Sequence, residues 1–273
     1  MKAGLLRTNF ELYKAELRKV WSFPIFELAI ALIALISITT IPTLQKIIEE
    51  TSVGTAINLS VSSALTSTLS SQMLPLGLLC GILVSLSFAR DYEQGLMQSL
   101  LSLPVSRSSL YILKFFAVVI PLSLMSWLLA TAVIGINFYS NLSAMLTVIQ
   151  LTTIALPILL LALTFYGGLA VLIALIIRRT IPSALSVMII GFSVWFITTL
   201  NADTIGNLAN YLCLTPFKAP LISLGRLLGS TYPPNTLEST LPAWSFITLT
   251  IVYALVLIIP MYAYFTRRFE VRE

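Results

Sequence analysis

The stretch ARDYEQGLMQSLLSLPVSRSSLYILK, residues 89–114, sets several charged side chains, a glycine and a proline between two long apolar runs. Each charged residue held at the middle of a lipid bilayer would cost about 3 kcal/mol. A stretch with this density of charge therefore lies outside the hydrocarbon, as a loop between two membrane spans. Its position fixes how the apolar runs on either side divide into helices.

The composition of the whole chain points to a membrane. Of 273 residues, 58% are hydrophobic and 10% are charged, and the mean hydropathy is +0.96. Soluble domains carry roughly 25% charged residues, so a soluble domain is excluded. A helix needs roughly 20 residues to cross the hydrocarbon, and the uncharged run Phe115–Ile177 is long enough for two helices, divided by the polar turn Ile136–Ala144.

We therefore predict an all-α integral membrane protein with six transmembrane helices. The predicted spans lie near residues 24–45, 70–90, 109–138, 144–177, 181–200 and 243–266. No linker divides the chain, so residues 1–273 form one transmembrane domain with its spans in 24–266.

Basic residues set the predicted orientation. With the N-terminus inside, all but three of the 16 Lys and Arg residues lie in cytoplasmic segments, the exceptions being Lys46, Lys218 and Arg226. The positive-inside rule then places both termini in the cytoplasm of a multi-pass protein of the cell (plasma) membrane. The basic residues flank the spans instead of forming one patch, so membrane lipid is the expected partner and nucleic acid is not.

Two further segments have patterns of their own. Residues 1–23 predict an amphipathic helix on the inner leaflet, or alternatively a basic topology anchor with incidental periodicity. Its apolar residues are Leu6, Phe10, Tyr13, Leu17 and Val20. The proline-rich outer loop 201–242 predicts one or two short helices on or in the outer leaflet, or an ordinary structured loop.

Small and polar residues inside the predicted spans give narrower predictions. Gly167, Gly168 and Ala170 favour close helix packing. The polar group that includes Thr68, Ser70, Ser71 and Gln72 faces either a polar path or water. Cys80 and Cys213 lie at different predicted depths, which disfavours a disulfide, and without histidine a Cys/His metal site is not expected.

Within the opening stretch, Tyr92–Ser102 predicts an additional short helix that Pro104 ends. Asp91 and Glu93 stand at its N-terminal end, where the helix dipole favours negative charge. The apolar residues predicted to share one face are Leu96, Met97, Leu100 and Leu101. Such a helix lies either on lipid or against a partner protein.

This stretch resembles the first cytoplasmic loop of ABC-2 type transporter permeases. That family usually shows an acidic pair, a Gly-Thr-Leu-Glu-like tetrapeptide, Leu-Leu, Pro-Val-Ser-Arg and a downstream Gly-Lys. The matching residues here are Asp91, Glu93, Gly95, Leu100, Leu101, Pro104, Val105, Ser106, Arg107 and Lys114, and the departures are Leu96, Met97, Gln98 and Leu113. Lys14–Arg18 with Trp21–Pro24 is similar to the family's entry to its first span, and Leu214–Pro216 stands where relatives often have Asn-Pro.

The resemblance implies an ABC-2 exporter fold in which residues 91–107 form the coupling loop to a separate ATPase. The residues implied to couple are Asp91, Glu93, Gly95, Leu100, Leu101, Pro104 and Arg107. Two ATP-binding cassette subunits and a second permease copy, or a homologous permease, are the implied partners. This chain lacks G-x-x-x-x-G-K-[ST], so we expect no enzymatic activity, no catalytic residue and no bound cofactor, with ATP and Mg held by the partner. Substrate residues are not indicated.

Three other functions were weighed against this one. A permease-like subunit would pass ATP energy to an extracytoplasmic partner, which cross-links from Lys218 or Arg226 would reveal. A lipid-modifying transferase needs clustered acids or histidines, and only Asp91 and Glu93 are grouped. An ion-coupled carrier needs buried charges or broken helices, and Glu27 alone does not supply them.

Overall fold

The computed structural model describes residues 2–41, 57–101, 106–139, 142–199, 211–229 and 241–267. Over these residues the chain is helical and contains no β-strand. The helices are α1 (Lys2–Val20), α2 (Ile25–Thr39), α3 (Ile57–Glu93), α4 (Leu96–Leu101), α5 (Arg107–Asn137), α6 (Leu142–Ile177), α7 (Thr180–Thr199), α8 (Ala219–Leu227) and α9 (Ala243–Arg267).

Several of these helices meet the length and hydropathy that a membrane span requires. In the described part of the chain, α3, α5, α6 and α9 each qualify alone, and α2 qualifies only when joined to α1 across a 68° bend. The apolar part of α7 is shorter. The all-α, multi-pass character is thus confirmed, and each predicted span overlaps one helix, while the number of six spans stays a prediction.

The centre of the bundle is the pair α3 and α6, with α5, α7 and α9 around it. Glycines permit the close approach of these helices. A Cβ at Gly81 would lie 2.3 Å from Val187 Cγ1 of α7, and one at Gly168 would lie 3.0 Å from Leu257 Cβ of α9. The packing role predicted for Gly167 and Gly168 is confirmed, since a Cβ at Gly167 would lie 3.0 Å from the Phe115 ring.

Helix α3 is longer than the predicted span 70–90. It has 37 residues, about 55 Å of helix, and begins at Ile57. Most described side chains in its polar N-terminal half are buried. Their hydroxyls are satisfied by carbonyls of the same helix, as in Thr66 to Ser62 (2.8 Å) and Thr68 to Ala64 (2.9 Å). Local hydrogen bonds thus satisfy side chains that a hydropathy window counts against burial.

Helix α1 packs across one end of α5 and α3 before the chain turns into α2. Trp21 fixes this turn, because its Nε1 donates to the Ala117 carbonyl of α5 at 2.8 Å. The predicted apolar face of α1 is divided: Val20 is buried, whereas Phe10 is 64% exposed. The residues that α1 buries against the bundle include a carboxylate, Glu16.

In the predicted outer loop, α8 is wedged among α9, α3 and α6. Its Leu224 side chain is buried in the main core, and the Arg226 guanidinium donates to the Leu241 carbonyl at 2.7 Å. The prediction of a short helix is therefore confirmed, and this helix packs on protein, while its position relative to the outer leaflet stays a prediction. The remainder of the loop, residues 201–210 and 230–240, lies outside the described residues.

Candidate functional site

The predicted coupling loop begins later than the sequence indicated. The short helix was predicted from Tyr92, but Tyr92 and Glu93 continue α3, and α4 starts at Leu96. The break falls at Gly95, whose φ of +69° is the left-handed conformation that ends helices. Its N–H bonds to the Tyr92 carbonyl at 3.1 Å. The prediction was wrong here because Gly95 was counted within the helix, whereas it separates two helices.

The apolar side chains predicted to share one face of α4 are buried to different extents where the structure describes them. Met97 is 1% exposed, Leu100 is half-buried against the core, and Leu96 is 43% exposed. Leu101 is the last residue of α4, and Pro104, the predicted stop, lies outside the described residues. Helix α4 is thus anchored by Met97, with Leu96 on its outer surface.

Glu93 ties the end of α3 to the start of α7. Its Oε2 accepts hydrogen bonds from the Thr180 backbone N–H at 2.9 Å and from the Thr180 hydroxyl at 2.5 Å. These donors hold the pKa of the exposed Glu93 carboxyl, which lies beyond the predicted span, below its usual range. Because Thr180 is the first residue of α7, the Glu93 carboxylate also lies at the positive end of the α7 dipole.

Tyr92 makes the neighbouring connection, to the junction between α6 and α7. Arg178 Nη1 donates to the Tyr92 hydroxyl at 2.7 Å, and the guanidinium carbon lies 4.9 Å from the centre of the Tyr92 ring. Arg178 has a φ of +57°, so the chain between α6 and α7 turns sharply at this residue. The two contacts hold the start of α7 against the end of α3.

Asp91 lies in a buried cluster of charges. Lys114 of α5 donates to the Asp91 carboxylate and, at 2.8 Å, to Glu16 Oε1 of α1, while Lys19 of α1 donates to the other Asp91 oxygen. Asp91 and Lys114 have no exposed side-chain area, and the Glu16 side chain is 5% exposed. The predicted site residue Asp91 is therefore buried inside the protein and joins three helices.

This cluster of Glu16, Lys19, Asp91 and Lys114 is formally neutral, with two carboxylates and two ammonium groups. Burying ions is costly unless each is paired, and here every member has a partner of opposite charge. Within the Glu16 carboxylate, Oε1 bonds to Lys114, whereas the buried Oε2 has no hydrogen-bond partner in the described part of the chain. Removal of any one member leaves an unbalanced charge in the protein interior.

Arg107 lies across the gap from α4. It is the first residue of α5 and is exposed, beside Ser106, whose hydroxyl accepts the Ser109 backbone N–H at 3.1 Å as the N-cap of α5. The predicted site residues therefore divide between the buried Asp91, the contact residue Glu93 and the exposed Arg107. Their role in coupling stays a prediction.

At the other end of the bundle, one predicted polar residue has a defined partner set. Gln72 Nε2 donates to the Ser37 hydroxyl at 2.6 Å, and Ser126 donates to Gln72 Oε1 at 2.7 Å. All three side chains are buried and they join α2, α3 and α5. Gln72 thus links helices and does not face water, whereas Ser71 is exposed.

The sequence interpretation missed Glu16 and Lys19 as members of the site, although it assigned Lys114 to the family pattern. One signal was available: Lys114 lies on an apolar helix, where a lysine needs a buried partner of opposite charge. The sequence alone could not show which acid is that partner, since Glu16 is distant from Lys114 in the chain. Thr180 and Arg178 gave no signal, because their contacts depend on how α7 meets α3.

Glu27 and the two cysteines lie outside the contacts described above. Glu27 is exposed in the first turn of α2. Cys80 and Cys213 are buried and form no disulfide, and Cys80 Sγ donates to the Leu163 carbonyl at 3.4 Å. No family model matches the chain, and no curated protein matches it.

Proposed function

We propose that this chain is the permease subunit of an ATP-binding cassette exporter of the ABC-2 type, working with separate ATPase subunits. Two features support the proposal. The first is the loop pattern from Asp91 to Arg107, and the second is a bundle of apolar helices long enough to line a path through a membrane. Two copies, or this chain with a homologous permease, would form the path, and ATP and Mg would bind to the ATPase.

The observation that carries the proposal is the position of α4 and its attachment to the core. This short helix stands beyond the end of α3 after the Gly95 turn, and it presents Leu96 on its surface. Met97 and Leu100, which lie further along α4, attach the helix to the core. A short helix with one anchored side and one apolar exposed residue is suited to receive a partner protein and to pass its movement to the bundle.

The contacts around α4 offer two routes for such movement. Glu93 and Tyr92 join the base of the loop to α7, through Thr180 and Arg178. Asp91 joins the same base to α5 and α1 through the charge cluster. Asp91 is then a positioning residue, which acts through Lys114 and does not touch the ATPase. Closure of the ATPase pair would tilt α5 and α7 together, biasing the bundle between two states.

A charge placed on the exposed side of α4 tests this function. We expect Leu96→Asp to reduce co-purification of an ATPase subunit with the full chain from native membranes by at least about tenfold, because interface anchors contribute about 2 kcal/mol or more. Leu96 is preferable to Leu100, whose partial burial would confuse docking with folding. The measurements are the amount of bound ATPase and the ATP hydrolysis of the purified complex.

The matched control is Leu142→Asp, which makes the same change at the first residue of α6, where the leucine is 75% exposed. It should leave ATPase assembly unchanged. The proposed function fails if the wild-type chain carries no ATPase, or if Leu96→Asp assembles and hydrolyses ATP normally. Equal losses in both variants, when both are folded, would also contradict it, since the loss would then not depend on the position of the charge on α4.

A further inference from the structure

A groove of about 380 Å³ lies between the C-terminal ends of α6 and α9. Its lining residues are Leu172, Leu175, Ile176, Arg178, Met261 and Tyr264. Ligand sites in proteins occupy about 300 to 1,000 Å³ and combine apolar walls with a few polar groups, as this groove does. None of these lining residues belongs to α4, so the proposed docking of an ATPase does not account for the groove.

The walls of the groove are suited to a hydrocarbon chain. Ile176 is 71% exposed and Tyr264 is 40% exposed, so the groove opens sideways from the bundle. Both residues lie near the ends of helices that are long and apolar enough to span a membrane. An opening in that position faces the region where acyl chains meet their headgroups, on the inner leaflet in the predicted orientation.

The positive charge of Arg178 at the end of the groove favours a lipid with a negatively charged headgroup. Among the described residues that line the groove, Arg178 is the only charged one and none is acidic. The guanidinium uses Nε for the Leu175 carbonyl and one Nη1–H for the Tyr92 hydroxyl, which leaves N–H donors for a ligand. The guanidinium carbon also lies over the Tyr92 ring, 4.9 Å from its centre, so the cation is preoriented.

We propose that this groove binds an anionic glycerophospholipid, with its phosphate on Arg178 and one acyl chain along Leu172, Ile176 and Met261. A guanidinium matches a phosphate in charge and in hydrogen-bond geometry. Basic pockets between membrane helices bind acidic headgroups for this reason. Because Arg178 also contacts Tyr92 at the base of α4, the bound lipid would lie beside the loop and stabilise its junction with α7.

Native mass spectrometry of the full chain tests the site. The protein is released from bicelles containing equal amounts of phosphatidylglycerol and phosphatidylcholine with the same acyl chains. We expect the wild type to retain phosphatidylglycerol in preference. Arg178→Gln should reduce the ratio of the two retained lipids roughly fivefold, since one basic residue near a membrane surface contributes about that factor. Arg178→Lys, which keeps the charge, should retain part of the preference.

Two controls separate the site from general electrostatics and from structure. Arg179→Gln removes the same charge from the adjacent, exposed residue and should keep the preference. Tyr92→Phe removes the hydroxyl that Arg178 contacts but leaves the cation, so it should lower the preference less than Arg178→Gln does. Ile176→Trp fills the groove and should lower retention of both lipids. Thermal unfolding of each variant shows whether the fold is intact.

Three outcomes would overturn the proposal. One is a wild-type chain with no preference for phosphatidylglycerol. Another is an equal loss in Arg178→Gln and Arg179→Gln, which would indicate a diffuse basic surface. The third is a lipid-free dimer that Ile176→Trp dissociates, because a second copy of the chain would then cover the groove.

Discussion

At the scale of single residues, the buried charge cluster is the feature with the largest energetic consequence. Lys114 has no exposed area and bonds to carboxylates from two other helices, Glu16 of α1 and Asp91 of α3. The buried ammonium group of Lys114 is stable only while both carboxylates balance its charge, and the carboxylates likewise require the ammonium group. Loss of one of these charges should therefore weaken the contacts among α1, α3 and α5 at this end of the bundle.

We expect Lys114→Met to lower the free energy of unfolding by about 3 to 5 kcal/mol. The change leaves Glu16 and Asp91 buried with only Lys19 to balance them. Unfolding of the purified protein in detergent, followed by circular dichroism as denaturant is added, measures the loss.

The control is the double variant Lys114→Met with Glu16→Gln, which leaves one carboxylate and one ammonium group. It should be more stable than Lys114→Met alone by roughly 0.5 to 3 kcal/mol, the usual coupling between residues in contact. If the two variants unfold at the same denaturant concentration, charge balance is not the reason for the stability of this cluster.

At the scale of helices, glycines decide how closely α3 and α7 approach. Beside the Gly81 contact with Val187, a Cβ at Gly191 of α7 would lie 2.5 Å from Leu78 Cδ2 of α3. Each glycine therefore receives a side chain from the opposite helix. Membrane helices lack a hydrophobic force between them, so this close packing is a main source of their association.

Gly81→Ala should lower the free energy of unfolding by about 1 to 3 kcal/mol, the usual effect of overpacking. The added methyl group would collide with Val187, whose branched side chain has few alternative rotamers. Detergent-phase unfolding detects the change. The compensating variant Gly81→Ala with Val187→Ala should recover most of the stability, and failure to recover would show that the glycine has another role.

The sequence predicted the helices better than their ends. The periodic and uncharged runs of α5, α6 and α9 were sufficient to place these helices within a few residues. The start of α4 was misplaced because Gly95 ends α3 in a left-handed conformation. The length of α3 was underestimated because hydroxyls such as Thr68 bond within their own helix and tolerate burial. Both errors concern hydrogen bonds that composition does not report.

At the scale of the whole molecule, the distribution of basic residues predicts the orientation in the membrane. The predicted orientation places α4 on the cytoplasmic side and the turn before α6 on the outer side. Two exposed leucines mark these sides, Leu96 and Leu142. The native thiols of Cys80 and Cys213 are buried and offer a low background for labelling.

We expect Leu142→Cys to react with a membrane-impermeant maleimide added to intact cells, and Leu96→Cys to react only in inverted membrane vesicles. One transmembrane helix, α5, separates the two positions. Reaction yield is read from the mass increase of the purified chain. Labelling of both variants from the same side would contradict the predicted topology and with it the docking of an ATPase at α4.

The sequence by itself determined that this protein is helical and embedded in a membrane, because hydropathy and helical hydrogen bonding are local properties. It also indicated which loop bears the coupling pattern. The tertiary structure decided which partner each charged group has: Lys114 pairs with Glu16 and Asp91, and Glu93 accepts hydrogen bonds from Thr180. These pairs join residues on separate helices, and their partners follow only from how the helices pack.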